Sequence, residues 1–353
     1  MIGYEAVVRV EAAPSWGSQG GLNSGTFVHR GIYLFADSVT PVFGAQARER
    51  DNKLLGARES SGSTYSVDDF YPTCEITWQP RVDDILPFAL AHFQIATAYA
   101  GGTYEFVRVG SNLTFLTNGS NWGTHPYSIN VDVFLGNSLV GGGTGANGYR
   151  FFNGIVDKLT FTNAYGEDFK CTAICKFLTG SRFNFPAGIG TSPSSLGSFS
   201  AYSQLVDWQG TVAPTGESAN INVDNVELTF DNKLGERSKL GQKGWNRFPL
   251  AQHWLAEGVL GMEFNRDLNI IAEGTSNSGT FEWVQAAGNA IRFTYHNFVY
   301  RPVDPAVTDG QAIVDISLPF RAYPTTTGGT SCVMRVYTGT LFGTTLFNFF
   351  ALQ

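Results

Sequence analysis

The stretch "GIVDKLTFTNAYGEDFKCTAICKFLTG", residues 154–180, alternates apolar and polar side chains on both sides of a short polar break. Leu159 and Phe161 share one face of the first limb. Phe169, Cys171, Ala173, Cys175 and Phe177 share one face of the second, with Lys170, Thr172 and Lys176 opposite. A period of two marks a strand with one buried face, because successive side chains of an extended chain point to opposite sides. The break "NAYGED" offers glycine and turn-forming polar residues, so the two limbs read as an antiparallel hairpin. "NVELTF" (225–230, with Val226, Leu228 and Phe230 inward), "AIRFTYHNF" (290–298) and "QAIVDISLPF" (311–320) alternate in the same way.

Composition agrees with a mainly β chain. Aromatic residues make up 14%, charged residues only 15%, and there are 41 glycines and 28 phenylalanines in 353 residues. Aromatic residues suit a pleated surface and glycine suits tight turns. The length fits two domains of roughly 150 to 180 residues. One segment departs from the pattern: in "RVDDILPFALAHFQIATAY" (81–99), Ile85, Phe88, Ala89, His92 and Phe93 recur at helical spacing. Asp83 or Asp84 is placed to cap it and Pro87 falls in its first turn, so it reads as one amphipathic helix lying on a sheet.

Two internal matches compete. The tetrapeptide Asp-Asn-Lys-Leu occurs at Asp51 and again at Asp231, and around it the order of strand, long polar loop, strand, apolar stretch and terminal strand pair recurs. "LTFTNAYGED" from Leu159 and "LTFDNKLGER" from Leu228 share six of ten residues at a much shorter offset. The half-length repeat preserves several elements and is the preferred reading. The first half then carries an extra Gly/Asn-rich excursion from about Gly101 to Gly148.

Little in the chain points to catalysis. GxSxG, a phosphate loop ending in Gly-Lys-Ser/Thr, HExxH and DxDxDG are absent, and the run "GGGTGANGYR" from Gly141 leads to Tyr149 where a phosphate loop needs Lys. His29, His92, His125, His253 and His296 are scattered. Cys74, Cys171, Cys175 and Cys332 lack metal spacing and read as buried thiols. Asp68/Asp69 and Asp83/Asp84 suit loop solvation and capping better than acid–base work, and "NLT" at Asn112 and "NGS" at Asn118 read as turns. No cofactor, no metal and no enzymatic activity are expected. The formal charge of −7 argues against gripping nucleic acid through its phosphates. With no basic, apolar leader and no apolar run of membrane-spanning length, a soluble protein made in a cytoplasm is expected, with no membrane partner.

Several stretches together carry a resemblance: "TYSVDDFYPTCEITWQPRVDDILPFALAHF" (64–93), "GYRFFNGIVDKLTFTNAYGEDFKCTAICKFLTG" (148–180), "INVDNVELTFDNKLGERSKLG" (221–241) and "GQAIVDISLPFRA" (310–322). In their order they resemble the tail tube proteins of long-tailed bacteriophages, in the branch with a duplicated tube domain. The resemblance implies two tandem antiparallel β-sandwich or half-barrel domains, each with about one helix. The first would cover 1–185, with an N-terminal arm and the insertion near 101–148, and the second 195–353.

It further implies a virion protein made in the host bacterial cytoplasm. Its partners would be itself, as trimeric pseudo-hexameric rings stacked into a tube, together with tape-measure, terminator and baseplate or tip proteins. Genomic DNA would pass during ejection without specific binding, in a flexible, non-contractile tail. Arg48, Arg50, Asp51, Lys53 and Arg58, in the loop from about Ala45 to Ser63, are candidates for stacking one ring on the next. Their counterpart runs from Asp231 to Arg247. Glu227 and Asp231, opposite the apolar face of their strand, are candidates for facing the channel, where carboxylates repel phosphates. The alternatives are another virion β-protein (terminator, decoration or receptor-binding) and a carbohydrate-binding sandwich. The latter would stack sugars on Trp16, Trp78, Trp122, Trp208, Trp245, Trp254 or Trp283, although Trp78 lies in an alternating strand and reads as core.

Overall fold

The computed structural model describes residues 6–12, 32–42, 45–50, 64–69, 72–99, 102–108, 127–134, 146–185, 205, 207–208, 211–213, 223–235, 250–251, 254–263, 277–285, 288–301, 315–324 and 329–338. Its elements are β1 (Ala6–Ala12), β2 (Ile32–Ala36), β3 (Ser38–Val42), β4 (Ala45–Arg50), β5 (Thr64–Asp69), β6 (Thr73–Trp78), α1 (Ile85–Phe93), β7 (Ile95–Tyr99), β8 (Thr103–Val107), β9 (Ile129–Phe134), β10 (Ala146–Ala164) and β11 (Lys170–Phe185). The second half continues with β12 (Asp207–Trp208), β13 (Thr211–Ala213), β14 (Asn225–Asp231), β15 (Leu234–Gly235), β16 (Leu250–Ala251), β17 (Leu255–Glu263), β18 (Asn277–Gln285), β19 (Asn289–Tyr300), β20 (Asp315–Ala322) and β21 (Cys332–Tyr337). The protein is mainly β, and among the described residues every strand pairing is antiparallel.

The hairpin read from residues 154–180 is β10–β11, the longest pairing of the sheet. Gly166 at φ 78° makes its turn, closed by a bond from Glu167 N to Ala164 O of 2.9 Å. As the alternation requires, Leu159, Phe161, Phe169, Cys171, Ala173, Cys175 and Phe177 are buried. All four cysteines are buried and free.

A single order of pairing occurs twice along the chain. In the first half β1 pairs with β9, β9 with β10, β10 with β11, β11 with β6, and β6 with β3. In the second half β12 and β13 pair with β18, β18 with β19, β19 with β20, β20 with β17, and β17 with β14. The irregularities repeat as well. Ile129 faces Gly154 while Val131 faces Phe151, and Asn277 faces Phe298 while Gly279 faces Tyr295, so each strand pair carries one extra residue at the same place. Between β3 and β6 the chain makes a separate two-stranded sheet, β4–β5, and between β14 and β17 another, β15–β16.

These two sets join. The C-terminal part of β10 pairs with β14, giving one sheet in the order β3–β6–β11–β10–β14–β17–β20–β19. The shorter sequence match is this junction itself: Leu159 faces Phe230, Thr160 faces Thr229 and Phe161 faces Leu228, so the two Leu-Thr-Phe segments lie antiparallel about the threonine pair. In the first half β1 also pairs with β2, which runs into β3 through Asp37, and this closes a barrel of β1, β2–β3, β6, β11, β10 and β9. The hairpin β7–β8 leaves the first half and pairs with β21, the outer neighbour of β19.

The helix differs from the amphipathic reading in three ways. All nine residues of α1 are buried, so it is a core helix. It stops at Phe93, because Gln94 takes a left-handed conformation (φ 71°), and "IATAY" becomes β7. Asp84 stands at the N-cap position without capping. Its carboxylate turns back to accept from Trp78 Nε1 (3.1 Å) and Arg81 N (2.9 Å), and burial next to Asp83 pushes its pKa up to about 8. The second-half apolar stretch "NRDLNIIAEG" (265–274) lies outside the described residues.

An aromatic core ties the layers. Phe93 of α1 lies 5.5 Å from Phe230 of β14, and Phe293 of β19 lies 4.7 Å from Phe161 of β10 and 5.4 Å from Phe230. Beside it, Asn232 donates through Nδ2 to the carbonyls of Val156 (2.9 Å) and His92 (3.1 Å) and accepts from Arg108. His92 Nδ1 lies 3.2 Å from Val156 O and 3.1 Å from Asn232 Nδ2. Burial, and then the Arg108 guanidinium, hold this imidazole neutral, with its pKa lowered to about 3.

Two outcomes follow from this packing. Gly258 faces Phe320 across the strands, and a Cβ there would sit 2.3 Å from the Phe320 ring and 2.8 Å from the Glu227 carbonyl. Gly258→Val should therefore cost about 1–3 kcal/mol in thermal unfolding followed by circular dichroism. His92 stays neutral when folded but binds a proton near its ordinary pKa of 6.5 when unfolded, so its contribution is present above about pH 6.5 and lost as pH falls toward 3. His92→Asn should lower Tm at pH 7, and its gap to the wild type should narrow between pH 6.5 and 4.

Candidate functional site

The eight-stranded sheet has one dry face and one polar face. Cys74, Ile76 and Trp78, Cys171, Ala173 and Cys175, Leu159 and Phe161, and Val226, Leu228 and Phe230 are buried on the core side. On the opposite side one row crosses both halves: Ser38, Thr77, Thr172, Thr160, Thr229, Glu257 and Arg321 are successive cross-strand neighbours. Thr77 and Thr172 share a hydroxyl hydrogen bond of 2.9 Å, and Thr160 and Thr229 one of 3.3 Å. Threonine fits here twice over, since its branched Cβ favours a strand and its hydroxyl bonds along the row.

Flanking rows bring charge. One runs Thr40, Glu75, Ile174, Lys158, Asp231, and another Lys170, Thr162, Glu227, Val259, Pro319. Opposite charges sit close: Lys176 Nζ is 2.9 Å from Asp157, Lys233 Nζ 2.6 Å from Asp231, Lys170 Nζ 3.7 Å from Asp37, and Arg321 Nε 3.6 Å from Glu257. The exposed Lys170–Asp37 pair adds little to stability. The three rows carry the cations Lys158, Lys170 and Arg321 against the carboxylates Glu75, Asp231, Glu227 and Glu257, so this face holds no cationic cluster.

The structure separates the two expected channel-facing carboxylates. Glu227 is exposed on the polar face and accepts from Thr229 Oγ1 at 3.4 Å. Asp231 ends the same strand but is buried, accepting from Lys233 N (2.7 Å) and bound to the Lys233 ammonium, whose pKa it raises. Of the expected stacking residues, Arg48 and Arg50 lie on β4, opposite Ser66 and Thr64, while Asp51, Lys53 and Arg58 fall outside the described residues. The structure therefore places β4 and β5 as the stem of that loop, and β15 and β16 as the stem of its counterpart.

Two features of the site escaped the sequence reading. The threonine row was visible only as a threonine at alternate positions in "KLTFTN", "KCTAIC" and "VELTF", with no sign that the strands are neighbours. The second is the edge: β14 is flanked by β10 and β17, whereas its counterpart β3 is flanked by β6 on one side and, among the described residues, by no strand on the other. Among the described residues no group of three or more His, Cys, Asp or Glu is arranged to hold a metal ion. No helix there is long and apolar enough to cross a membrane.

No protein-family model matches the chain, and no curated protein matches it. The functional reading therefore rests on the geometry of this molecule.

Lys176 is the side chain that joins the polar face to the β15 stem, donating to Leu234 O at 2.8 Å while paired with Asp157, which itself accepts from Leu234 N at 2.8 Å. Lys176→Met should lower stability by about 1.5–3 kcal/mol in urea titration, the scale of a hydrogen bond to a charged group. Added salt should shrink the difference.

Proposed function

We propose that this chain is a structural virion protein that forms the tail tube of a long-tailed bacteriophage, with two tandem tube domains, 1–185 and 195–353, and no catalytic role. The observation that carries this reading is the junction of β10 with β14. The C-terminal part of β10, an inner strand of the first pairing set, docks on β14, the terminal strand of the second, inside a single chain. A heterologous contact of this kind, repeated between copies, closes a ring when the rotation closes. Three chains would supply six such units, and closure would remove the open edges that are an aggregation hazard on a lone sheet.

In that ring the threonine-rich face lines the channel. Hydroxyls bonded to each other along the row and charges paired across the strands offer DNA phosphates no cationic cluster to grip, so the genome slides during ejection. The β4–β5 and β15–β16 stems project the polar loops that set one ring on the next. Tape-measure, terminator and baseplate or tip proteins would then meet the tube in the virion. Of the tryptophans on which the alternative would stack a sugar, Trp78 and Trp283 are fully buried and Trp254 packs against Phe93 and Phe230, while Trp16, Trp122 and Trp245 lie outside the described residues.

Negative-stain electron microscopy of the purified protein over a concentration series tests the reading. Hollow tubes of stacked rings are the expected result. Discrete particles at every concentration, with a monomer mass by light scattering, would overturn it.

A further inference from the structure

We draw no further inference here: the strongest candidate, the surface patch of exposed carboxylates Glu167, Asp168 and Asp224 around Tyr165 at the turn between β10 and β11, is an acidic cluster, and nothing in the structure shows what covers it.

Discussion

The pairing of β10 with β14 is the interaction on which the rest of the molecule depends. β10 is long enough to serve two neighbours on one side: its N-terminal part closes the first-half barrel against β9, and its C-terminal part starts the second half against β14. Each junction residue of β14 therefore has a strand on both sides, its backbone polar groups are satisfied, and Val226, Leu228 and Phe230 can be buried without cost from unpaired amides. The Asn232 network sits at the end of this ladder. It ties the helix carbonyl of His92, the bulge at Val156 and the side chain of Arg108 to the strand that begins the second half.

A repeat built this way makes the two halves unequal. The first half closes on itself through β1 and β2, while the second opens toward β21 and receives the β7–β8 hairpin from the first. Equivalent places carry different chemistry as a result. The buried rung Arg9–Asp132–Arg150 crosses β1, β9 and β10, with Arg150 Nε 2.8 Å from Asp132. The corresponding rung of the second half is Thr211, Thr280 and Thr294. Duplicated strands keep their pairing order under such replacement, because that order is a property of backbone hydrogen bonds and of apolar alternation, and both rungs satisfy them.

The fold class was legible wherever one face of a strand is buried. Phe169 through Phe177, Val226 through Phe230 and Ile291 through Tyr295 alternate in sequence and alternate in the structure. Legibility failed where burial is complete. In α1 the apolar residues lie on all sides, so the helical spacing of Ile85, Phe88, Ala89 and Phe93 was read as a stripe, and the helix end was set too late because nothing local in "FQIATAY" announces the left-handed Gln94. Of the half-length repeat, the terminal pairs β10–β11 and β19–β20 recur as expected, the second apolar stretch lies outside the described residues, and the marker does not match. Asp231 ends β14, whereas Asp51 follows β4, beyond the strand equivalent to β14.

By itself the sequence determined what depends on neighbours along the chain: a mainly β protein, its principal hairpin and its buried thiols. Those features follow from a period of two and from turn chemistry, which act over a few residues. Only the tertiary structure decided which strands meet. The threonine row and the neutral His92 are consequences of register between segments far apart in sequence. Register is a choice among many pairings of similar local propensity, settled by which arrangement buries every apolar face and satisfies the backbone at once.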